Sequence, residues 1–156
     1  MATNISSLDR AVQNAVLWLN DVQDELHWDD REVVYKATKA VLQTIRDRLP
    51  PGELFHFSSN LPMVFKGMLF DSYDPEQNKE IKTVEDFYTQ VQCHYDAQQR
   101  DIISGQEATF GVINTLLNKI GEGEMKKVAD TMPLKLKPLF QQRNTPLSVG
   151  AVNSAS

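Results

Sequence analysis

Slid against itself by about 71 residues, the chain repeats: Ala37 and Thr38 fall on Ala108 and Thr109, Val41 on Val112, Thr44 on Thr115, Gly52-Glu53 on Gly123-Glu124, Pro62 on Pro133 and Lys66 on Lys137. Replacements between these identities keep residue type, with Leu42 against Ile113, Ile45 against Leu116 and Leu61 against Met132, and no gap is needed from Ala37 to Leu69. A duplication constrains folding more than any other feature here, because both halves must build the same supersecondary unit and bury its apolar face. It leaves chemistry open.

The unit is helical. Leu8, Val12, Ala15, Leu19, Val22 and Leu26 alternate spacings of four and three, one stripe of an amphipathic helix over about 8–26. Asp29 with Glu32 has the form of a capping box, and Val34, Ala37, Val41 and Ile45 carry a second helix to Leu49-Pro50-Pro51. Gly52–Asn60 and Pro62–Phe70 read as two short helices, the second opened by proline. Asp71–Lys82 is polar and aperiodic, a connector. The second half restates the order. Thr83 caps a helix carrying Phe87, Val91 and Tyr95, and Ser104 with Glu107 opens one carrying Phe110, Ile113, Leu116 and Ile120. Gly121 and Gly123 stand at the next break, and Met132-Pro133 restates Leu61-Pro62. No segment sustains the period-two alternation of a strand.

The expected fold is therefore all-α, two tandem repeats of about four helices each, a long pair plus two short helices, packed about a pseudo-two-fold axis. One domain covers 1–143, with repeat one at about 8–70, the connector at 71–82 and repeat two at about 83–142. Asn144–Ser156 is small, polar and without a charged residue, and reads as a disordered tail.

A formal net charge of −5 argues against a general phosphate-backbone binder. The local exception is 119–143, where six basic residues face Glu122, Glu124 and Asp130. Cys93 is the sole cysteine, so neither an intramolecular disulfide nor a thiolate metal cluster forms within one chain. The first residues lack a signal-peptide pattern and no stretch approaches about 18 apolar residues, which points to a soluble cytoplasmic protein without membrane partners.

Chemistry is sparse. His27 ends the first helix beside Trp28-Asp29-Asp30, where helix-end charge and capping explain the cluster better than a metal site does. His56 stands opposite Lys127 in the repeat, which places it at the surface. Cys93 and His94 are adjacent, about 100° apart on a helix, awkward for a dyad, and the thiol is expected buried or half-buried. Lys66 and Lys137 are expected in the last turns of short helices, complementing the dipole. Serine-hydrolase, phosphate-loop, dinucleotide and metalloprotease patterns are missing, and the acids of 71–80 lack the spacing of a calcium loop.

Trp18-Leu19, Glu25-Leu26, Asp29-Asp30, Tyr35, Arg46-Asp47-Arg48-Leu49-Pro50-Pro51, Leu61-Pro62-Met63, Lys66-Gly67 and Asp74-Pro75 form a series. On these residues the chain resembles the bacterial family called domain of unknown function 2267, strongly over about 8–75 and less over 83–141. There Gln90–Arg100 departs from the family's usual acidic helix ending. The resemblance implies a small two-repeat all-helical cytoplasmic protein of bacterial origin, associated with stress-related gene neighbourhoods. It brings no activity, cofactor or catalytic residue.

The expectation is a non-enzymatic protein-interaction or stress-associated adaptor, acting on a protein partner or as a homo-oligomer, with no cofactor and no metal. Its candidate surface is Trp18, His27, Trp28, Asp29, Asp30, Tyr73 and Asp74. The alternatives are small-molecule or lipid binding between the repeats, at Trp18, Phe65, Met68 and Met132, and nucleic-acid binding through 119–143.

Overall fold

The period that starts at Leu8 becomes α1 (Ser6–Leu26), followed by α2 (Arg31–Arg48), α3 (Pro51–Ser58) and α4 (Met63–Phe70). The second half supplies α5 (Val84–Cys93), α6 (Ala97–Arg100), α7 (Gly105–Ile120), α8 (Glu122–Asp130) and α9 (Lys137–Gln141). The computed structural model describes residues 3–77 and 79–145, and no strand occurs among them. The expected tail lies outside the described residues except for Asn144 and Thr145.

Local chemistry sets the boundaries. Thr83 with Asp86 and Ser104 with Glu107 form complete capping boxes at α5 and α7. Pro51 opens α3, where its missing N–H is no loss. Gly121, at φ +91°, ends α7 and begins α8 in a single residue, a conformation that L side chains rarely adopt. Asp30, rather than Asp29, caps α2: its Oδ1 accepts from the Glu32 and Val33 N–H groups at 2.9 and 3.4 Å. The glutamine-rich stretch adds a helix that the eight-helix expectation lacks. Asp96 caps α6, and the side chain of Gln99, 2% exposed, donates to the Val33 carbonyl at 2.9 Å, tying the segment to α2. Lys66 sits in mid-α4 and Lys137 opens α9, so neither complements a helix C-terminus.

α2 and α7 pack on each other at the centre, α1 lies on α7, and α5 lies on α2. Leu42, Ile45, Ile113 and Leu116 fill the seam at no more than 1% exposure. The threonines that the 71-residue shift aligns do the same work on α2 and α7. Thr38, Thr44, Thr109 and Thr115 are buried, and each Oγ1 donates to the carbonyl four residues earlier at 2.7–2.8 Å. A small side chain with its hydroxyl satisfied on its own helix leaves no buried orphan. Phe57, Phe65, Phe87 and Phe140 complete the core, each contributing about 1.5–3 kcal/mol through burial.

α1 runs antiparallel to α7: Leu26 lies against Gly111, Glu25 reaches Asn114, and Asp21 pairs with Lys119 at 2.6 Å. α7 ends at Ile120, so the first turns of α1 extend past it. The expected α1 stripe is accordingly buried only at Ala15 and Val22, while Leu8 and Val12 remain 45% and 50% exposed.

Candidate functional site

The expected surface residues fall into three separate environments. Trp18 is half-buried, edge-on to Phe65 at 5.4 Å between centroids, with Lys119 Nζ 5.8 Å above its ring. Trp18 is thus a packing residue with a cation on its outer face.

The His27–Asp30 corner is a helix junction. His27, at φ +58°, ends α1 and donates its N–H to the Gln23 carbonyl at 2.8 Å. Trp28 packs against the core, the Asp29 carbonyl accepts from Gln23 Nε2 at 3.1 Å, and Asp30 caps α2. The His27 N–H, the Asp29 carbonyl and the Asp30 carboxylate thus serve the junction itself. Among the described residues no three His, Cys, Asp or Glu side chains converge to hold a metal ion.

Asp74 forms a turn, its Oδ1 accepting from the Glu76 N–H at 3.0 Å. Tyr73 belongs to a cluster that leads inward. Its ring meets that of Phe70 at 5.9 Å and lies 5.6 Å from the Arg46 guanidinium.

Arg46 opens onto a buried ionic network, the one such network among the described residues, which sequence reasoning missed. Its Nε and Nη2 donate to Asp47 Oδ1 at 3.1 and 2.9 Å, and its Nη1 donates to the carbonyls of Leu69 and Asp71 at 3.1 and 3.0 Å. Asp47 Oδ2 accepts from Gln90 Nε2 at 3.0 Å and lies 2.7 Å from His94 Nε2. Both side chains of the Arg46–Asp47 pair are 7% exposed. Burial pushes the Asp47 carboxyl up, but the hydrogen bonds from His94, Arg46 and Gln90 outweigh it and hold its pKa below the ordinary value. The sequence signal was Arg46-Asp47 between Ile45 and Leu49, charges at the end of an apolar stripe. The histidine–carboxylate geometry is that of a general-base pair, yet Arg46 occupies the other carboxylate oxygen and no hydroxyl or thiol nucleophile among the described residues joins the network. Its chemistry is that of a staple joining α2, the end of α4, the connector and α5. Cys93 is exposed, contrary to the expected burial, because His94 takes the inward position beside it.

Of the residues of the alternative sites, Phe65, Met68 and Met132 are 1–4% exposed and fill the core. Of the basic residues in 119–143, Lys119 pairs with Asp21, Lys126 with Asp130, Lys127 with Glu124 and Arg143 with Glu25, at 2.6–3.1 Å. Four of the six basic residues are thus neutralised locally, and Lys135 and Lys137 are the two without an acidic partner among the described residues.

What remains unpartnered is the outer face of α4. Met63, Lys66, Gly67 and Phe70 share one side of the helix; Met63 is 67% exposed, and a Cβ at Gly67 would meet nothing within 4 Å. Phe55, 62% exposed, stacks on Phe70 at 5.8 Å. At the other end Met63 joins Leu17, 56% exposed, and Arg10, Asn14 and Ser7 of α1 around an open groove of about 490 Å³. The face is apolar at both ends, flat in the middle, and edged by Arg10 and Lys66, which have no acidic partner among the described residues.

No described helix is long and apolar enough to cross a membrane. The family model described as "Uncharacterized conserved protein (DUF2267)" matches residues 16–139. Comparison with curated proteins gives no match.

Proposed function

Because the chain belongs to the DUF2267 family, whose description names no activity, we propose a function from the surface of the molecule itself: a non-enzymatic helical adaptor that acts through protein–protein contact at the outer face of α4. The observation that carries this is the exposure of Met63, Leu17 and Phe55, with the half-buried Phe70 stacked under Phe55, around the open Gly67 position. Large apolar side chains grouped on one face mark interaction surfaces more than singly scattered ones do. A glycine in the middle of an exposed helix costs about 1 kcal/mol in propensity relative to alanine and lets another backbone approach closely. The packing of α1 on α7 and of α5 on α2 supports the companion reading of a duplicated unit whose first half bears this face.

The test is affinity capture from native lysate with the full chain and with Gly67→Glu, which enlarges an open position and leaves the core untouched. The reading expects proteins held by the parent chain to be lost with the variant. Identical capture profiles contradict it.

A further inference from the structure

A second exposed apolar feature complements the α4 face, and the inference drawn from it rests on reading that face as an interaction surface. Leu8 and Val12, 45% and 50% exposed, continue the buried side of α1 beyond the end of α7, and the N-cap residue Ile5, 53% exposed, adjoins them. From Ile5, the N-cap residue, to Val12 is eight residues, and the row Met63–Phe70 on α4 is eight residues as well, about 10 Å of helical rise. Both rows follow the i, i+3 or i+4, i+7 spacing by which helices pack ridge into groove. At the centre of the α4 row Gly67 leaves a gap; at the centre of the α1 row Leu8 supplies a knob.

The charges also match. Asp9 is the one ionisable side chain flanking the α1 stripe, and its Oδ1 accepts from the Thr3 N–H at 2.8 Å, leaving Oδ2 for a cation. The α4 side offers Lys66 and Arg10.

We infer that the occupant of the α4 face is a second copy of this chain, which seats Leu8 and Val12 of its α1, with the preceding Ile5, along Met63, Gly67 and Phe70 with Asp9 toward Lys66. Two such contacts related by a two-fold axis cover both exposed apolar features of each copy. A helix from another protein would cover the α4 face and leave the α1 stripe in water.

Sedimentation of the full chain across a concentration series tests this, with circular dichroism checking that each variant is folded. The parent chain dimerises, and Gly67→Glu or Leu8→Ser with Val12→Ser raises Kd at least about tenfold. Asp9→Lys weakens the dimer, and adding Lys66→Glu in the same chain restores it. A parent chain that stays monomeric, or a dimer indifferent to Gly67→Glu, overturns the second-copy assignment. The adaptor reading then stands if Gly67→Glu still abolishes capture of another protein, and falls with the dimer if it does not.

Discussion

Gly67→Ala should stabilise the monomer, and the magnitude follows from what surrounds the position. Gly67 is the fifth of eight residues in α4, its backbone is helical, and an added Cβ meets nothing within 4 Å. The substitution therefore gains helix propensity without a clash, about 0.5–1 kcal/mol. In a chain of this size that raises Tm by about 2–3 °C. Gly105→Ala is the steric contrast: Gly105 is the first residue of α7, where less propensity is gained, and the new Cβ would collide with the Tyr88 carbonyl oxygen. The carbonyl belongs to the α5 backbone, so relief requires moving a helix by roughly an ångström, at a cost of about 1–3 kcal/mol. Urea titration at low protein concentration, followed by circular dichroism, measures both. Opposite signs support the geometry. A destabilised Gly67→Ala refutes it, since that result means something already packs on α4 within the monomer.

Three further outcomes follow. Asp47→Ala leaves Arg46 and His94 facing a buried gap and should destabilise by about 3–5 kcal/mol in urea titration. Asp47 is also a source of acid lability: its folded pKa lies below the ordinary carboxylate value, so its stabilisation is full above that value and lost as pH falls through the folded pKa. The acid limb of the stability–pH curve should flatten in Asp47→Asn relative to the parent. Tyr95→Phe should be neutral or stabilising by up to about 1 kcal/mol, because the Tyr95 hydroxyl is buried without a partner among the described residues and burial raises its pKa.

Local signals read well from the sequence. The capping boxes at Thr83 and Ser104, the Pro51 start of α3 and the α7–α8 break at Gly121 are each decided within a few residues, and each stands where periodicity and cap chemistry place it. Adjacent caps are harder: Asp29 and Asp30 differ by one register step, and only the reach of an oxygen to the Glu32 N–H selects between them. The buried network was illegible because Asp47 meets His94 across 47 residues of chain. No spacing rule reports such a pair. The exposed turns of α1 were misread for a related reason. Periodicity gives the direction of an apolar stripe but not where the neighbouring helix stops, and α7 stops at Ile120. The conspicuous residues Trp18, His27, Trp28, Asp29 and Asp30 are placed by packing and capping, whereas Gly67, silent in a motif search, marks the open centre of the α4 face.

The central claim is that the outer face of α4 is covered by protein in its working state. A photoreactive residue at position 67 in the full chain, irradiated in native cells and followed by mass spectrometry of the adducts, tests it most directly. The account predicts a crosslink to the Ile5–Val12 segment of a second copy. Recovery of only uncrosslinked chain would contradict it.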